Sequence, residues 1–270
     1  MRRDVLLLGM AVVLLATGCR TMERLSFIRP TAARGDYTQV APTYDVSDKG
    51  RKGSVVSAGQ LLANASALYR AGRMAEAEQL ARRALKADPA SADAHTLLAA
   101  TATARGAAAE SGRHYQQAVA LSPANGAYAN NYGTWLCANG RAAESLGWFD
   151  KALADPNYAT PATAFANAGT CARDIGQPDL AESRWRQALA LQPENLPSLS
   201  GMAALQFARE RFLEARAFAE RWLALTPADR EGLQLAAMIE QKLGDNVAAQ
   251  RYLSRLQATS PGSTTAPRTQ

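Results

Sequence analysis

Residues 126–156 read GAYANNYGTWLCANGRAAESLGWFDKALADP, and this stretch indicates the fold of the chain. It carries a small residue, Gly133, in its first half, a second glycine, Gly140, near its middle, and Pro156 at its end. A glycine at a helix end lets the chain leave in a left-handed conformation, and a proline stops the helix before it. The stretch therefore predicts two antiparallel helices joined by a tight turn.

The same pattern recurs along the chain with a period of 34 residues. One series consists of prolines in steps of 34, 70, 34 and 34: Pro89, Pro123, Pro193, Pro227 and Pro261. A glycine series runs in phase with it, with Glu210 at the remaining place: Gly72, Gly106, Gly140, Gly176 and Gly244. The step of 70 is two periods plus two residues, and the extra pair falls within residues 156–161. A fixed period of this length indicates stacked structural repeats, here beginning near residues 58, 92, 126, 162, 196 and 230.

The repeat positions also predict how the two helices of each unit pack. Small residues are expected where the helices cross, because a larger side chain would hold them apart: Ala65, Ala99, Gly133, Gly169, Ala203 and Ala237. Large apolar residues fill the next layer, such as Tyr115, Phe149, Trp185 and Leu253. One such unit cannot bury its apolar face alone, so the units must stack into a solenoid.

A 34-residue unit of this shape resembles the tetratricopeptide repeat (TPR), and the resemblance covers residues 58–263. It implies an all-α, right-handed α-solenoid of six helical hairpins. The first helices of TPR hairpins line a concave groove, which is where such proteins bind their partners.

A more specific resemblance lies in the third and fourth repeats. The runs Asn130–Leu136 (NNYGTWL), Asp155–Tyr158 (DPNY) and Asn167–Cys171 (NAGTC), together with the two-residue insertion, are similar to the PilF/PilW family of type IV pilus biogenesis lipoproteins. Members of this family are outer-membrane lipoproteins that face the periplasm. They help the pilus secretin to localise and assemble, or they stabilise the pilus.

The amino terminus has the pattern of an export signal. Arg2 and Arg3 precede an apolar run of eleven residues, Val5–Leu15, which is too short to cross a hydrocarbon core of about 30 Å. Leu15-Ala16-Thr17-Gly18-Cys19 resembles a bacterial lipobox, although Ala16 stands where Leu is more usual. We therefore expect residues 1–18 to be cleaved and Cys19 to be lipidated; the alternative is an ordinary signal peptide with a chance cysteine.

The segments that flank the repeats are polar. Residues 20–52 carry seven Lys/Arg and four Asp/Glu and no persistent helix or strand period, so residues 19–57 are predicted to form a lipid-anchored flexible tether. Residues 264–270 are predicted to be a disordered tail. Arg20 after the cysteine favours an outer-membrane location, by resemblance to lipoprotein sorting rules.

Composition argues against several functional classes. The chain of 270 residues is 47% hydrophobic and 20% charged, with a net charge of +6 and no dense basic block, which disfavours nucleic-acid binding. It contains no nucleotide-binding, serine-hydrolase or HExxH zinc motif. We expect a protein that is not an enzyme and needs no metal or cofactor beyond the covalent lipid. His95 and His114 are expected to be packing or surface residues.

Cys137 and Cys171 lie late on the first helices of adjacent repeats. Since the expected compartment is oxidising, a disulfide between them is conceivable. The alternative is two small buried apolar residues.

The TPR pattern places residues five, nine and twelve of each repeat in the groove. The candidate partner-binding residues are Leu62, Ser66, Tyr69, Asn130, Thr134, Arg173, Phe207 and Met238. This groove is mostly small, polar and uncharged, so it favours a segment with apolar anchors over an acidic tail. Tyr69 and Phe207 are either partner anchors or packing residues, and Asn130 bonds either a partner or its own solenoid.

The main functional hypothesis is therefore a pilotin, an assembly factor that binds type IV pilus secretin subunits at the outer membrane. The alternative is a periplasm-facing TPR scaffold lipoprotein for cell-wall enzymes or outer-membrane protein insertion.

Overall fold

The computed structural model describes residues 56–259, which form twelve α-helices and no strands. In chain order the helices are α1 Ala58–Arg70, α2 Met74–Ala87, α3 Ala92–Ala104, α4 Ala108–Leu121, α5 Gly126–Ala138, α6 Ala142–Ala154, α7 Pro161–Asp174, α8 Pro178–Leu191, α9 Leu196–Ala208, α10 Phe212–Leu225, α11 Arg230–Leu243 and α12 Asn246–Ala258. Successive pairs form six hairpins, repeats 1 to 6, as the 34-residue period predicts. The predicted signal peptide 1–18, Cys19, most of the tether and the tail 264–270 lie outside the described residues.

Each hairpin turns through one residue in the left-handed region. The five glycines of the series adopt φ angles between +71° and +82°. In repeat 5 the equivalent residue is Glu210, which adopts a φ of +58° despite its side chain. The periodic glycines thus follow from backbone geometry, and Glu210 carries the strain that a side chain meets in this region.

The first helix of a hairpin usually begins with a side-chain cap. In five repeats a short polar side chain accepts a hydrogen bond from the first turn: Ser57, Ser91, Asn125, Asn195 and Asp229. Helix α7 lacks such a cap and begins with Pro161 instead, which suits the first helical position. The difference arises because the connection before α7 spans residues 155–160, two more than the four-residue connections elsewhere.

The inserted connection is fixed by Asp155. Its carboxylate accepts hydrogen bonds from the backbone N–H of Gly126 at 2.8 Å and of Asn157 at 2.9 Å. These two bonds hold the pKa of Asp155 below its usual range. Tyr158 then packs over Gly126, where a Cβ would lie 2.8 Å from the Cβ of Tyr158. The insertion is therefore an ordered element of the solenoid.

Helix crossings are as tight as the small residues at repeat position eight predict. All six of these residues are buried, and a Cβ on Gly133 would lie 3.0 Å from the Phe149 ring. Phe149 and Trp185 are fully buried, while Tyr115 and Leu253 at the same repeat position are half-buried. The core is a series of clusters that each bridge neighbouring hairpins, which is how a solenoid replaces a single central core.

The solenoid curves with its first helices on the inside. Within residues 56–259 the first helix of each repeat contacts the first helix of the next, whereas the backbones of consecutive second helices stay apart. The concave face is therefore built from α1, α3, α5, α7, α9 and α11.

Ion pairs between equivalent repeat positions join two of the repeat junctions. Between repeats 1 and 2, Glu78 and Glu110 alternate with Arg82 and Arg105, with N···O distances of 2.6 to 3.0 Å. The equivalent positions between repeats 4 and 5 hold the same residue types: Glu182, Glu214, Arg186 and Arg209. Such partly exposed pairs contribute little individually, about 0–1 kcal/mol, and the pairs between repeats link neighbouring hairpins at the surface.

Candidate functional site

The concave face has almost no charge in its central part. Helices α5 and α9 contain no charged residue. Helix α7 contains only Arg173 and Asp174 at its end, and these two pair with each other at 2.7 Å. Arg173, a candidate groove residue, thus lies exposed at the edge with its charge partly neutralised. The charged residues of these repeats are mostly on the second helices, which face outward.

A hydrogen-bonded polar group forms the centre of this face. The Asn167 side-chain amide donates to Asn130 Oδ1 at 3.0 Å and to Thr134 Oγ1 at 3.1 Å, and the Thr134 hydroxyl donates to the Asn130 carbonyl at 2.9 Å. Asn130 is only 8% exposed, so its side chain is engaged by the neighbouring repeat. Thr134 is exposed and is the member of the group that a partner could reach.

A disulfide lies beside this polar group. Cys137 on α5 and Cys171 on α7 are bonded, with their Cα atoms 5.8 Å apart. The bond joins the first helices of repeats 3 and 4, on either side of the inserted connection. The sequence left open whether these residues are a disulfide or two buried free cysteines, and the structure contains the disulfide. The bond connects the two helices that form the centre of the groove.

At the amino-terminal end of the groove, the candidate residues differ in exposure. Ser66 is exposed, whereas Leu62 and Tyr69 are half-buried and pack against a cluster that includes Ala65 and Leu98. Part of the Tyr69 ring is therefore used to join repeats 1 and 2. The remainder lines the groove.

At the carboxy-terminal end, Phe207 is half-buried and meets Phe212 edge to face, with ring centroids 5.6 Å apart. It also packs against the core of repeats 5 and 6. Met238 is 37% exposed and stands among exposed glutamines, Gln234 and Gln241. Met238 is thus the candidate with the most accessible apolar side chain at this end.

Sequence reasoning missed two sets of residues. It passed over Asn167, although this residue lies in the motif used for the family resemblance and one position after a groove position. It also treated His95 and His114 separately, whereas their Nδ1 atoms lie 2.9 Å apart. An alignment of the repeats predicts the contact between the two histidines. In repeat 1 the equivalent residues are Leu61 and Leu80, which pack in one cluster.

Three further properties of residues 56–259 concern metal binding, membrane insertion and titratable groups. Between residues 56 and 259, no group of three or more His, Cys, Asp or Glu side chains is arranged to hold a metal ion. No helix in the same range is both long and apolar enough to cross a bilayer. A strongly shifted pKa belongs to Tyr128, which burial and its hydrogen bond to Asp93 raise to about 12. This tyrosine remains neutral and links repeats 2 and 3.

Known proteins share both the repeat and part of the sequence of this chain. A family model described as tetratricopeptide repeat matches residues 62–126 and 167–230. The type IV pilus assembly protein PilF of Pseudomonas aeruginosa PAO1 is 27% identical over 193 residues, which is 71% of this chain and 76% of that protein.

Two solved structures share the fold over nearly their whole length. The crystal structure of PilW, described as a widely conserved type IV pilus biogenesis factor, is 30% identical, with a TM-score of 0.71 over 77% of this chain and 95% of PilW. The structure of Pseudomonas aeruginosa PilF has the same TM-score at 24% identity, over 76% of this chain and 93% of PilF. The identity and coverage of PilW, together with the six hairpins, show that this chain belongs to the PilF/PilW family of type IV pilus TPR proteins.

Proposed function

We propose that this protein is an outer-membrane lipoprotein that acts as a pilotin, assembling the type IV pilus secretin by binding secretin subunits in its concave groove. It works by recognition and carries out no reaction. Its relatives are a pilus assembly protein and a pilus biogenesis factor, and the groove supplies the physical argument for a protein partner.

The uncharged centre of the concave face is the observation that supports this proposal. Helices α5, α7 and α9 present small residues, the Asn167–Thr134 group and the disulfide. A charged segment buried there would lose its hydration without finding an opposite charge, which is costly. An amphipathic or extended segment with apolar anchors would contact the aromatic and methionine side chains at the two ends.

The lipid on Cys19 is the second part of the proposal. Tethering the groove and the secretin subunits to the same membrane surface converts their encounter into a two-dimensional search at an effective concentration in the range of about millimolar. More than one acyl chain is needed for firm anchoring, which is what lipobox processing supplies. The net positive charge of residues 20–52 would add a weak attraction to anionic lipid headgroups.

The groove is tested by placing a charge in it. Ala204 lies exposed on α9 at a groove position, and Ala217 lies exposed on the outward-facing α10. We expect Ala204→Glu to reduce secretin multimers and the binding of purified secretin by tenfold or more, while Ala217→Glu leaves both unchanged. Equal binding by both variants would contradict a role for the concave face.

The anchor is tested with Cys19→Ala in the full-length protein. We expect the variant to leave the membrane fraction and the secretin to remain monomeric. If the variant stays membrane-bound, the lipid anchor is wrong; if secretin multimers form normally in a strain that lacks the gene, the assembly role is wrong.

Affinity capture of the mature protein separates the proposal from its alternative. Secretin subunits should co-purify with the wild type and be lost with Ala204→Glu. Co-purification of cell-wall enzymes or outer-membrane insertion factors without secretin would favour the general scaffold.

A further inference from the structure

Repeat 2 differs from the other five at the contact between its two helices. Residues four and 23 of each repeat, on its first and second helix, are the equivalent positions in every unit. In five repeats at least one member of the pair is apolar: Leu61/Leu80, Ala129/Trp148, Phe165/Arg184, Leu199/Phe218 and Leu233/Tyr252. Only repeat 2 places two ionisable imidazoles here, His95 and His114.

The two imidazoles are bonded directly to each other. Their Nδ1 atoms are 2.9 Å apart and their ring centroids 5.2 Å apart. Such a contact requires one nitrogen to donate and the other to accept. It therefore tolerates one proton between the two Nδ1 atoms, whereas two protonated rings cannot form it and would repel each other.

The surroundings disfavour the doubly charged pair further. Both rings are half-buried, and burial lowers the pKa of each; the neighbouring His95 lowers that of His114 again. Arg82 of α2 and Arg113 of α4 act in the same direction, and Glu110 of α4 opposes them.

The remaining neighbouring charges are engaged elsewhere. Glu110 is held by Arg82 and Arg105. Asp93 on α3 accepts the hydroxyl of Tyr128 from α5, and the charged residue of α1, Arg70, donates to the Ser66 carbonyl of its own helix. Among the described residues, Glu110 is thus the one carboxylate shown to favour protonation of His114, and two arginines share its charge.

The rest of this hairpin interface combines buried alanines such as Ala99, Ala102 and Ala118 with polar contacts. Thr103 and Ser111 share a hydrogen bond of 2.6 Å across the two helices, and the Ser111 hydroxyl lies 2.9 Å from the Ala99 carbonyl. Thr101 is fully buried in the same hairpin. Because small alanines and these hydrogen bonds surround the imidazoles, and no large apolar pair stands at their position, losing the imidazole contact weakens the hold of α3 on α4.

We propose that repeat 2 is an acid-sensitive joint in the solenoid: protonation of both His95 and His114 separates α3 from α4 while the other five hairpins keep their packing. Above a pH of about 6.5, the ordinary pKa of histidine, the joint is closed. As the pH falls below that value, the opened hairpin binds more protons than the closed one, so opening increases. The joint is a property of the chain itself and does not depend on which partner fills the groove.

Hydrogen exchange at matched pH values tests the joint. For each proton that is taken up on opening, the equilibrium constant for opening rises by up to about tenfold per unit decrease in pH. This holds between the pKa of the histidine in the opened hairpin and its lower pKa in the closed one. After correction for the intrinsic rate, protection in α3 and α4 of the mature protein should fall by about tenfold between pH 6.5 and 5.5. Protection in α9 and α10, where Leu199 faces Phe218, should change less than twofold.

The matched variant is the double substitution His95→Leu and His114→Leu, which reproduces the Leu61/Leu80 pair of repeat 1. It should protect α3 and α4 equally at both pH values. Unchanged wild-type protection in α3 and α4 would overturn the proposal, as would an equal acid-induced loss in the variant. If the variant does not fold, the comparison of α3–α4 with α9–α10 within the wild type decides.

Discussion

Gly201 on α9 is expected to tolerate no larger residue, because it faces the fully buried indole of Trp185. A Cβ at this position would lie 2.5 Å from Trp185 Cζ2 and 2.6 Å from its Cε2. A Cβ on Gly169 would lie 2.5 Å from Trp185 Cδ1. The fully buried ring is thus in close contact with two glycines from different repeats.

The magnitude follows from two opposing effects. Replacing a helical glycine with alanine stabilises by about 0.5–1 kcal/mol, because alanine has less backbone entropy to lose. Ordinary carbon contacts need roughly 3.5 Å, so the Trp185 ring would have to move by about 1 Å within its fully buried site. Overpacking of this kind costs about 1–3 kcal/mol. We expect Gly201→Ala to lower the free energy of unfolding by about 1–2 kcal/mol.

Urea unfolding of the mature protein, followed by far-ultraviolet circular dichroism, measures this difference. The matched control is Gly147→Ala on α6, where the added Cβ meets no atom within 4 Å; it should raise stability by about 0.5–1 kcal/mol.

A Trp185→Phe background completes a double-mutant cycle, since the smaller ring withdraws from Gly201. It gives up no protein hydrogen bond, because the indole nitrogen is buried without a partner in the described chain. There Gly201→Ala should behave like the control. If the Gly201→Ala protein is as stable as wild type, the contact between Gly201 and Trp185 is not as tight as argued. The same follows if Gly201→Ala lowers the free energy of unfolding equally in the Trp185→Phe background.

Three further predictions concern the turn, the disulfide and the insertion. Glu210→Gly should stabilise by about 0.5–1 kcal/mol by relieving left-handed strain, whereas Gly176→Ala should destabilise, both measured as shifts in the urea midpoint. Replacing Cys137 and Cys171 with serine should cost about 3–4 kcal/mol, the loop entropy for their separation of 34 residues, and addition of reductant should then have no further effect on the unfolding curve. Asp155 has a lowered pKa, so the stabilisation by its carboxylate is present above a pH of about 4 and disappears as the pH falls below that value. Wild type should therefore be more stable than Asp155→Asn at pH 6, and the difference in free energy of unfolding should decrease in unfolding curves taken down to pH 3.

The sequence predicts the backbone far better than it predicts the groove. The period, the left-handed turns and the inserted connection follow from glycine, proline and spacing, which constrain φ and ψ directly. Glu210 shows how strong this constraint is, because the chain adopts the turn even where the sequence supplies no glycine.

Groove side chains are harder to predict because their direction depends on neighbouring repeats. Asn130 occupies a groove position by count but is buried, since Asn167 of the next repeat bonds to it. Phe207 turns partly toward Phe212, five residues away in its own repeat. Repeat position gives the face of a helix, whereas exposure depends on the size and polarity of the side chains that contact it, both in its own repeat and in the next one.

In repeats 3 to 5 the charged residues lie mainly on the second helices, and this separation connects the fold to recognition. Ion pairs such as Arg82–Glu110 and Arg186–Glu214 link the second helices of consecutive hairpins. The first helices of repeats 3 to 5 carry almost no charge and leave Thr134 exposed. A partner that binds in the groove then contacts apolar side chains at its two ends and neutral hydrogen-bonding groups at its centre. Its affinity should therefore depend weakly on salt. A steep loss of secretin binding between 50 and 300 mM salt would show that the charged outer helices make the contact instead.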